Sequence, residues 1–225
     1  MPHKHFDERL ADLEQRLLAM SHKVEGLVEE SVSMAMGSGD ATIEEIYAID
    51  SEIDAEEVGI EEGCIELLAL HQPMAGDLRF LVAILKVNTD LERIGDHAVN
   101  IAEASIRLLD STKRPPRPPE LEEMSRIARS MLRRSLDSMV HRSAEEAKAV
   151  MAEDDRVDGL HESVVRIMLT HMLEGSVAAC LQVILISRNI ERIADHATNI
   201  CEDVIFMVRG TTVRHGGGEI ASGTA

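Results

Sequence analysis

Apolar side chains recur along two long segments of the chain at alternating steps of three and four residues. The apolar positions are Phe80, Ile84, Val87, Leu91, Ile94, Ala98 and Ile101 in the first segment, and Ala179, Val183, Ile186, Ile190, Ile193, Ala197, Ile200, Val204 and Met207 in the second. This spacing places the apolar side chains on one face of an α-helix. A helix of about 35 residues is about 50 Å long, so each segment predicts long partner helices that cover its apolar face.

The two halves of the chain are copies of one unit. Segment 88–103 (NTDLERIGDHAVNIAE) aligns with segment 187–202 (SRNIERIADHATNICE) with nine identities in sixteen. A shift of 104 residues also superimposes the apolar and small positions of the N-terminal segments. These positions are Leu17, Met20, Val24, Leu27, Ser31 and Val32, over Leu121, Met124, Ala128, Met131, Ser135 and Leu136. Chance rarely gives such agreement, so the chain contains an internal duplication.

Each unit is predicted to form three helices. The predicted helices are 5–37, 40–71 and 74–110 in the first unit, and 120–149, 151–173 and 175–209 in the second. The linker at 111–119 holds four of the six prolines, which helix interiors do not tolerate, and the tail at 210–225 is predicted to be disordered. The predicted fold class is therefore all-α, with two tandem antiparallel three-helix bundles at 5–110 and 120–209.

The composition fits helices and narrows the classes of function. Trp is absent and the chain has one Tyr and three Phe, so the core is aliphatic, which favours helices over sheets. The net charge of −18 argues against binding to nucleic acid or to anionic membrane surfaces. Cys64, Cys180 and Cys201 do not form a disulfide framework, and no apolar stretch is long enough for a signal region or a membrane span. These features are typical of a soluble intracellular protein in a reducing compartment.

Each unit places two acids and an asparagine on one face of its third helix, at the spacing i, i+4, i+8. Counted from the hinge, two aspartates of the preceding helix fall at the same heights, so each antiparallel hairpin gathers four carboxylates. Four carboxylates this close repel one another or raise each other's pKa, and a bound cation relieves the repulsion. Carboxylate and amide oxygens suit Mg²⁺, Ca²⁺, Mn²⁺ and iron. The candidate metal ligands are Asp50, Asp54, Glu92, Asp96 and Asn100 in the first unit, and Asp154, Asp158, Glu191, Asp195 and Asn199 in the second.

Other interpretations of these acids stay open. Arg93 and Arg192 could neutralise part of the charge in salt bridges, which leaves a structural scaffold with solvated acidic faces. A ferritin-like metal-dependent enzyme carries two Glu-x-x-His pairs, and the chain has only the near miss Asp158-x-x-His161. The chain has neither a Walker-type phosphate loop nor a Gly-x-Ser-x-Gly motif, so we predict a protein without catalytic residues.

Three segments resemble the PhoU family of accessory regulators of bacterial phosphate uptake. They are LERIGDHAVNIAE at 91–103, IERIADHATNICED at 190–203 and HQPMAGDLRF at 71–80. The resemblance covers roughly residues 5–209. It implies two three-helix bundles related by pseudo-twofold symmetry and a protein that is often a homodimer. It also implies that the family's Glu/Asp-x-x-x-Asp motifs bind metal, with iron or zinc expected ahead of manganese or magnesium. By position these motifs correspond to Glu92, Asp96, Glu191 and Asp195.

The same resemblance implies a role in signalling. Members of the family act in the cytoplasm as negative regulators of the phosphate-starvation response. They are thought to link the ATPase subunit of the phosphate ABC transporter (PstB) to a sensor histidine kinase (PhoR). The hinge sequence at 73–79 has no counterpart in the second unit, where 174–176 replaces it. If Arg79 serves a partner or a phosphate, only one such site exists; the alternative is that Arg79 pairs with Asp77.

Overall fold

The computed structural model describes residues 2–173 and 175–212, and this part of the chain contains seven α-helices and no strand. The helices are α1 (Pro2–Ala35), α2 (Ile43–His71), α3 (Ala75–Leu109), α4 (Pro119–Val140), α5 (Ala144–Met151), α6 (Asp154–Met172) and α7 (Val177–Arg209). No helix in the described part of the chain is both long enough and apolar enough to cross a lipid bilayer.

The two apolar seams form the centre of the core, as their spacing predicts. Every seam position of α3 and α7 is buried, and so are the twelve N-terminal positions that the duplication superimposes. α1 and α2 pack on α3, while α4, α5 and α6 pack on α7. The all-α fold of two antiparallel bundles is therefore confirmed.

The two bundles share a long interface in addition to the linker. α3 packs against α7, and α1 also contacts α4. His97 of α3 meets Asn189 of α7, and Asp90 of α3 meets His196 of α7, so the two helices run antiparallel. The two pairs exchange when the repeats are superimposed, because His97 aligns with His196 and Asp90 with Asn189. The pseudo-twofold axis therefore passes between the two histidine rings.

The predicted helix at 120–149 is wrong, because α4 ends at Val140 and, after three intervening residues, a new helix begins at Ala144. Ser143 caps α5, since its hydroxyl accepts a hydrogen bond from the Glu146 N–H at 3.2 Å. The equivalent cap of α2 is Thr42, whose hydroxyl accepts from the Glu45 N–H at 3.3 Å. Ser-x-x-Glu is the sequence signature of a helix start. Together, α5 and α6 therefore take the place of α2 in the second bundle.

A short insertion explains why the second bundle needs two helices where the first has one. The caps Thr42 and Ser143 are 101 residues apart, whereas the acids Asp50 and Asp154 are 104 apart. The second unit therefore has three additional residues between the cap and the acid, and in this segment the two-residue turn at 152–153 separates α5 from α6. This turn ends directly before Asp154, which is the first residue of α6.

The ends of the units lie close to the predicted positions. α3 ends at Leu109 and α4 begins at Pro119, so Pro115, Pro116 and Pro118 lie between the helices. Gly210 ends α7 in the left-handed conformation, with φ of 70°. Most of the tail that is predicted to be disordered, residues 213–225, lies outside the described residues, so that prediction stays a prediction.

Candidate metal centre

Three carboxylates of the second bundle converge on one point. Asp154 and Asp158 lie one turn apart on α6, and Asp195 lies on the facing helix α7. One carboxylate oxygen from each residue lies within 4.8 Å of the other two. The hinge count places Asp154 level with Asp195, and the structure brings these two side chains together. Their role as metal ligands stays a prediction.

The surroundings of these carboxylates disfavour their negative charge. Burial raises the pKa of Asp154 to about 6, and repulsion from Asp158 and Asp195 adds to the effect. Burial and the charge of Asp195 raise the pKa of Asp158 in the same direction. Asp154 Oδ1 is buried and accepts no hydrogen bond of good geometry from the described residues. A cation placed between the three residues would supply both the missing partner and the missing positive charge.

Thr198 adds an oxygen that the sequence analysis did not include. Its hydroxyl oxygen is buried on α7 and makes no hydrogen bond of good geometry in the described residues. It lies beside the Asp154 carboxylate, and as a hydrogen-bond donor it lowers the pKa of Asp154, against the effect of burial. Threonine is absent from the equivalent position of the first unit, which is Val99, so a comparison of the two repeats does not single it out.

Glu191 and Asn199 lie apart from this cluster. Both carboxylate oxygens of Glu191 accept from Arg188 Nη1, at 2.8 and 2.5 Å. The Asn199 amide donates to Asp90 Oδ1 at 3.3 Å, across the interface between the bundles. Asp195 also accepts from Arg192, at 2.7 Å, so one of its oxygens is engaged. The convergent set is therefore smaller than the predicted five ligands.

The equivalent acids of the first bundle are neighbours but do not converge as closely. Burial, followed by repulsion from Asp54 and Asp96, raises the pKa of Asp50 to about 6. Burial raises the pKa of Glu92 as well, and Asp96 adds to that shift. Arg93 lies between the two acids of α3, with Nε 3.3 Å from Glu92 and Nη1 3.2 Å from Asp96. Among the described residues, the close set of three carboxylates occurs only in the second bundle.

Asn100, the remaining candidate of the first bundle, is exposed. In both bundles the acids of the third helix pair with arginine, and the two aspartates of the preceding helix have no ion pair in the described residues, but only the second bundle brings three carboxylates within 4.8 Å of one another. This difference between the two copies indicates that the second bundle is the stronger candidate for a metal site.

The two histidines that follow the acid motifs face the other bundle. The rings of His97 and His196 lie 5.5 Å apart between their centroids. His97 Nδ1 is 3.0 Å from Asn189 Oδ1, and His196 Nδ1 is 2.7 Å from Asp90 Oδ1. Burial lowers the pKa of His97. These rings therefore belong to the interface between the bundles.

The raised pKa values predict that the metal-free protein loses stability as the pH rises. Asp50 and Asp154 titrate near pH 6 in the folded chain and near 3.8 in the unfolded chain. The folded state therefore binds more protons between these values, and its stability falls from about pH 4 to pH 6. Because both side chains are partly exposed, solvent screening reduces the effect to about 1 kcal/mol per residue.

Urea unfolding at pH 5 and pH 7 in the presence of a chelator measures this dependence. The Asp50→Asn/Asp154→Asn variant should lose less stability between the two pH values than the wild type does. An equal loss in both proteins would assign the dependence to other groups.

Comparison with known proteins agrees with this duplicated architecture. The family model described as the PhoU domain matches the chain twice, at residues 17–105 and at residues 121–204. The chain belongs to the PhoU family. The two matched PhoU regions fall within the two predicted units.

Relatives and solved structures share the PhoU match over nearly their whole length. The "Phosphate-specific transport system accessory protein PhoU homolog" of Pseudomonas putida is 36% identical over 214 residues, which cover 94% of this chain and 84% of the relative. The crystal structure of PhoU from Pseudomonas aeruginosa has a TM-score of 0.87 at 35% identity, covering 92% of this chain and 100% of that one. The phosphate transport system regulatory protein PhoU from Streptococcus pneumoniae has a TM-score of 0.83 at 28% identity, covering 93% and 100%.

Proposed function

We propose that this chain is an accessory protein of phosphate transport that acts in the cytoplasm and restrains the phosphate-starvation response. The observation that carries the proposal is the match, over nearly the whole chain, to proteins named as phosphate-specific transport system accessory proteins. The chain would link the ATPase subunit of the transporter to a sensor histidine kinase. Because α3 packs against α7 and α1 contacts α4, the two bundles form one unit that both partners would contact.

We also propose that the second bundle binds a metal ion through Asp154, Asp158 and Asp195. The convergence of the three carboxylates, and the lack of an ion pair to Asp154 or Asp158 in the described residues, support this assignment. The three carboxylates provide only oxygen ligands, which suit iron, manganese and magnesium. Structural zinc sites typically use nitrogen and sulfur ligands, so zinc fits this site less well. A bound ion would connect the start of α6 to the middle of α7 and so fix the hairpin.

The proposed role is binding and regulation, without catalysis. The relatives are named accessory and regulatory proteins, which describes an effect on other proteins. A ferritin-like site would need a histidine ligand, and His161 is the histidine three residues after Asp158. Its Nδ1 lies 3.0 Å from the Ser187 hydroxyl, so this nitrogen already has a partner. The family also leads us to propose a homodimer, which light scattering of the purified chain would test.

A pull-down from cell membranes tests the regulatory role. The tagged chain should recover the transporter ATPase subunit and the sensor kinase, with more recovered from cells grown in high phosphate. Deletion of the gene should switch on a phosphate-starvation reporter in high phosphate, and the wild-type gene should restore repression. Recovery of neither partner, together with an unchanged reporter, would contradict the proposed function.

The metal site is tested in the same cells. The Asp154→Asn/Asp158→Asn variant should restore repression less well than the wild type. A charge-matched control is Asp12→Asn/Asp137→Asn, which removes two carboxylates from exposed positions on α1 and α4. Equal repression by the variant and the control would show that the regulatory role does not need the proposed metal site.

A further inference from the structure

A cavity of about 310 Å³ lies where the first hinge meets the second bundle. Gly76, Asp77 and Arg79 from the start of α3 line one side of it. Arg142 from the loop between α4 and α5, and Met207 from the end of α7, line the other side. The cavity therefore depends on both bundles, and it lies at the hinge segment that only the first unit contains.

Arg79 presents an unused hydrogen-bond donor at this cavity. Its Nε is buried and donates to no acceptor in the described residues. A guanidinium keeps its positive charge at any physiological pH, and a buried donor without a partner costs free energy. The pairing with Asp77 that the sequence allowed is not found among the described ion pairs. An acceptor that enters the cavity from solution would satisfy Arg79.

Arg142 brings a second positive charge to the same cavity. Its backbone is in the left-handed conformation, with φ of 48°. The guanidinium carbon lies 4.9 Å from the centroid of the Phe80 ring, which holds it in place by a cation–π contact. No carboxylate of the described residues lies within ion-pair distance of either arginine. Two uncompensated guanidinium groups at one cavity are unusual in a chain with a net charge of −18.

The first turn of α3 adds backbone donors. Met74 precedes the helix and offers no side-chain acceptor to its first N–H groups. Gly76 and Asp77 belong to this turn and line the cavity. Free N–H groups at a helix start favour anions, and the two arginines extend the same preference.

Asp77 is the one acid among the residues that line the cavity, and its carboxylate indicates which anion fits. An unprotonated oxyanion such as sulfate would be repelled by the Asp77 carboxylate. Inorganic phosphate and phosphate monoesters are partly protonated near neutral pH, so a P–OH group can donate a hydrogen bond to that carboxylate. Arginine pairs well with phosphate oxygens because its planar fork can form two parallel hydrogen bonds.

We propose that this cavity binds a phosphate group, with Arg79 and Arg142 contacting its oxygens and Asp77 accepting its proton. The assignment to phosphate rests on the proposed function, whereas the assignment to an anion rests on the cavity alone. The second unit has Gly175, Ser176 and Ala178 at the equivalent positions, so it lacks both the arginine and the acid. Each chain would therefore hold one such site.

A purely structural role for Arg79 makes a different prediction. A side chain at Gly210 would lie 3.7–3.8 Å from the Arg79 side chain, so Arg79 lies beside the end of α7. A positive charge at a helix C-terminus stabilises that helix. If this were its only role, replacing Arg79 would lower the melting temperature without affecting the binding of any anion.

Calorimetric titration of the full chain with inorganic phosphate, in the presence of a chelator, tests the proposal. The wild type should bind one phosphate per chain. Arg79→Gln and Arg142→Gln should each weaken binding by about tenfold or more, because each removes a charge-assisted contact. Arg166→Gln is the matched control, since Arg166 is exposed on α6 and has no ion pair in the described residues. Circular dichroism and thermal melts establish that each variant is folded.

The outcomes separate the anion site from the metal site. In a second titration without chelator and with added manganese, Asp154→Asn/Asp158→Asn should bind phosphate as the wild type does; if that variant loses binding while Arg79→Gln retains it, the phosphate binds through the metal and the proposal is wrong. Absence of binding to the wild type at millimolar phosphate, or equal affinities for the wild type and the arginine variants, would also overturn it.

Two further titrations identify the ligand. Sulfate should bind the wild type more weakly than phosphate, and Asp77→Asn should reduce this preference. Equal affinity for the two anions in both proteins would overturn the assignment to phosphate. A titration with phosphoserine distinguishes free phosphate from a phosphorylated partner as the source of the phosphate group. Tighter binding of phosphoserine than of inorganic phosphate would support the site and assign it to a phosphorylated partner.

Discussion

Adding a divalent metal ion should raise the melting temperature of the wild-type chain and leave that of the Asp154→Asn/Asp158→Asn variant unchanged. A ligand that binds only the folded state stabilises it by about 2.7 kcal/mol at a concentration of one hundred times Kd. For a chain of this length, 1 kcal/mol corresponds to about 2–4 °C in melting temperature. The expected rise is therefore about 5–11 °C, measured by differential scanning fluorimetry with iron(II), manganese or magnesium.

The substitutions in this experiment remove charge and preserve shape. Asparagine has nearly the size of aspartate, so the packing of α6 on α7 should survive. Without metal, the variant should be at least as stable as the wild type at pH 7, because burial and mutual repulsion disfavour the charged carboxylates it lacks. The exposed pair Asp12→Asn/Asp137→Asn controls for the change in net charge. An equal rise in the variant would show that the ion binds elsewhere.

The two bundles should differ in this response. The Asp50→Asn/Asp54→Asn variant should retain most of the rise, because the described residues bring three carboxylates together only in the second bundle. If the first-bundle variant abolished the rise and the second-bundle variant did not, this ranking of the two sites would be wrong.

The apolar pattern predicted the fold well because it reports burial directly. Positions such as Ile84 and Ile186 recur with the period of a helix, and a helix can bury them only against other long helices. The duplication predicted two bundles of the same architecture, since two copies of one sequence adopt the same local structure. The error at 120–149 arose where the copies differ. Between the cap at Ser143 and Asp154, the second unit is three residues longer than the first. The hydrophobic pattern alone does not show such an insertion.

The candidate site was less predictable because heights along a helix do not determine the partners of a side chain. Glu191 lies level with Asp158, yet Arg188 pairs with it from the preceding turn. The first unit has Thr89 at the equivalent position, so the copies differ in a neighbour of the motif. Asn199 contacts Asp90 of the other bundle, and a count within one hairpin does not include that contact. The prediction of the site therefore failed where side chains of other turns or other helices compete for the predicted ligands.

Replacing Ile193 with alanine should lower the free energy of unfolding by about 2–5 kcal/mol. Ile193 is 1% exposed on α7, the helix that contacts α3, α4, α5 and α6. A cavity at this position therefore removes contacts from the centre of the molecule, where little relaxation is available. Ile94 occupies the equivalent position of α3 and is fully buried, so Ile94→Ala should give a loss of similar size. Urea unfolding measures both variants.

A control on the same helix compares truncation of an exposed side chain with truncation of a buried one. Leu181 is 46% exposed, so Leu181→Ala should cost less than about 1 kcal/mol. Ile193→Ala retains Asp154, Asp158 and Asp195, so metal should still raise its melting temperature from the lower starting value. If Ile193→Ala cost no more than Leu181→Ala, α7 would not occupy the centre of the core. If Ile193→Ala lost the metal response, the carboxylates would depend on this core position for their alignment, which would connect the packing of α7 directly to the candidate metal site.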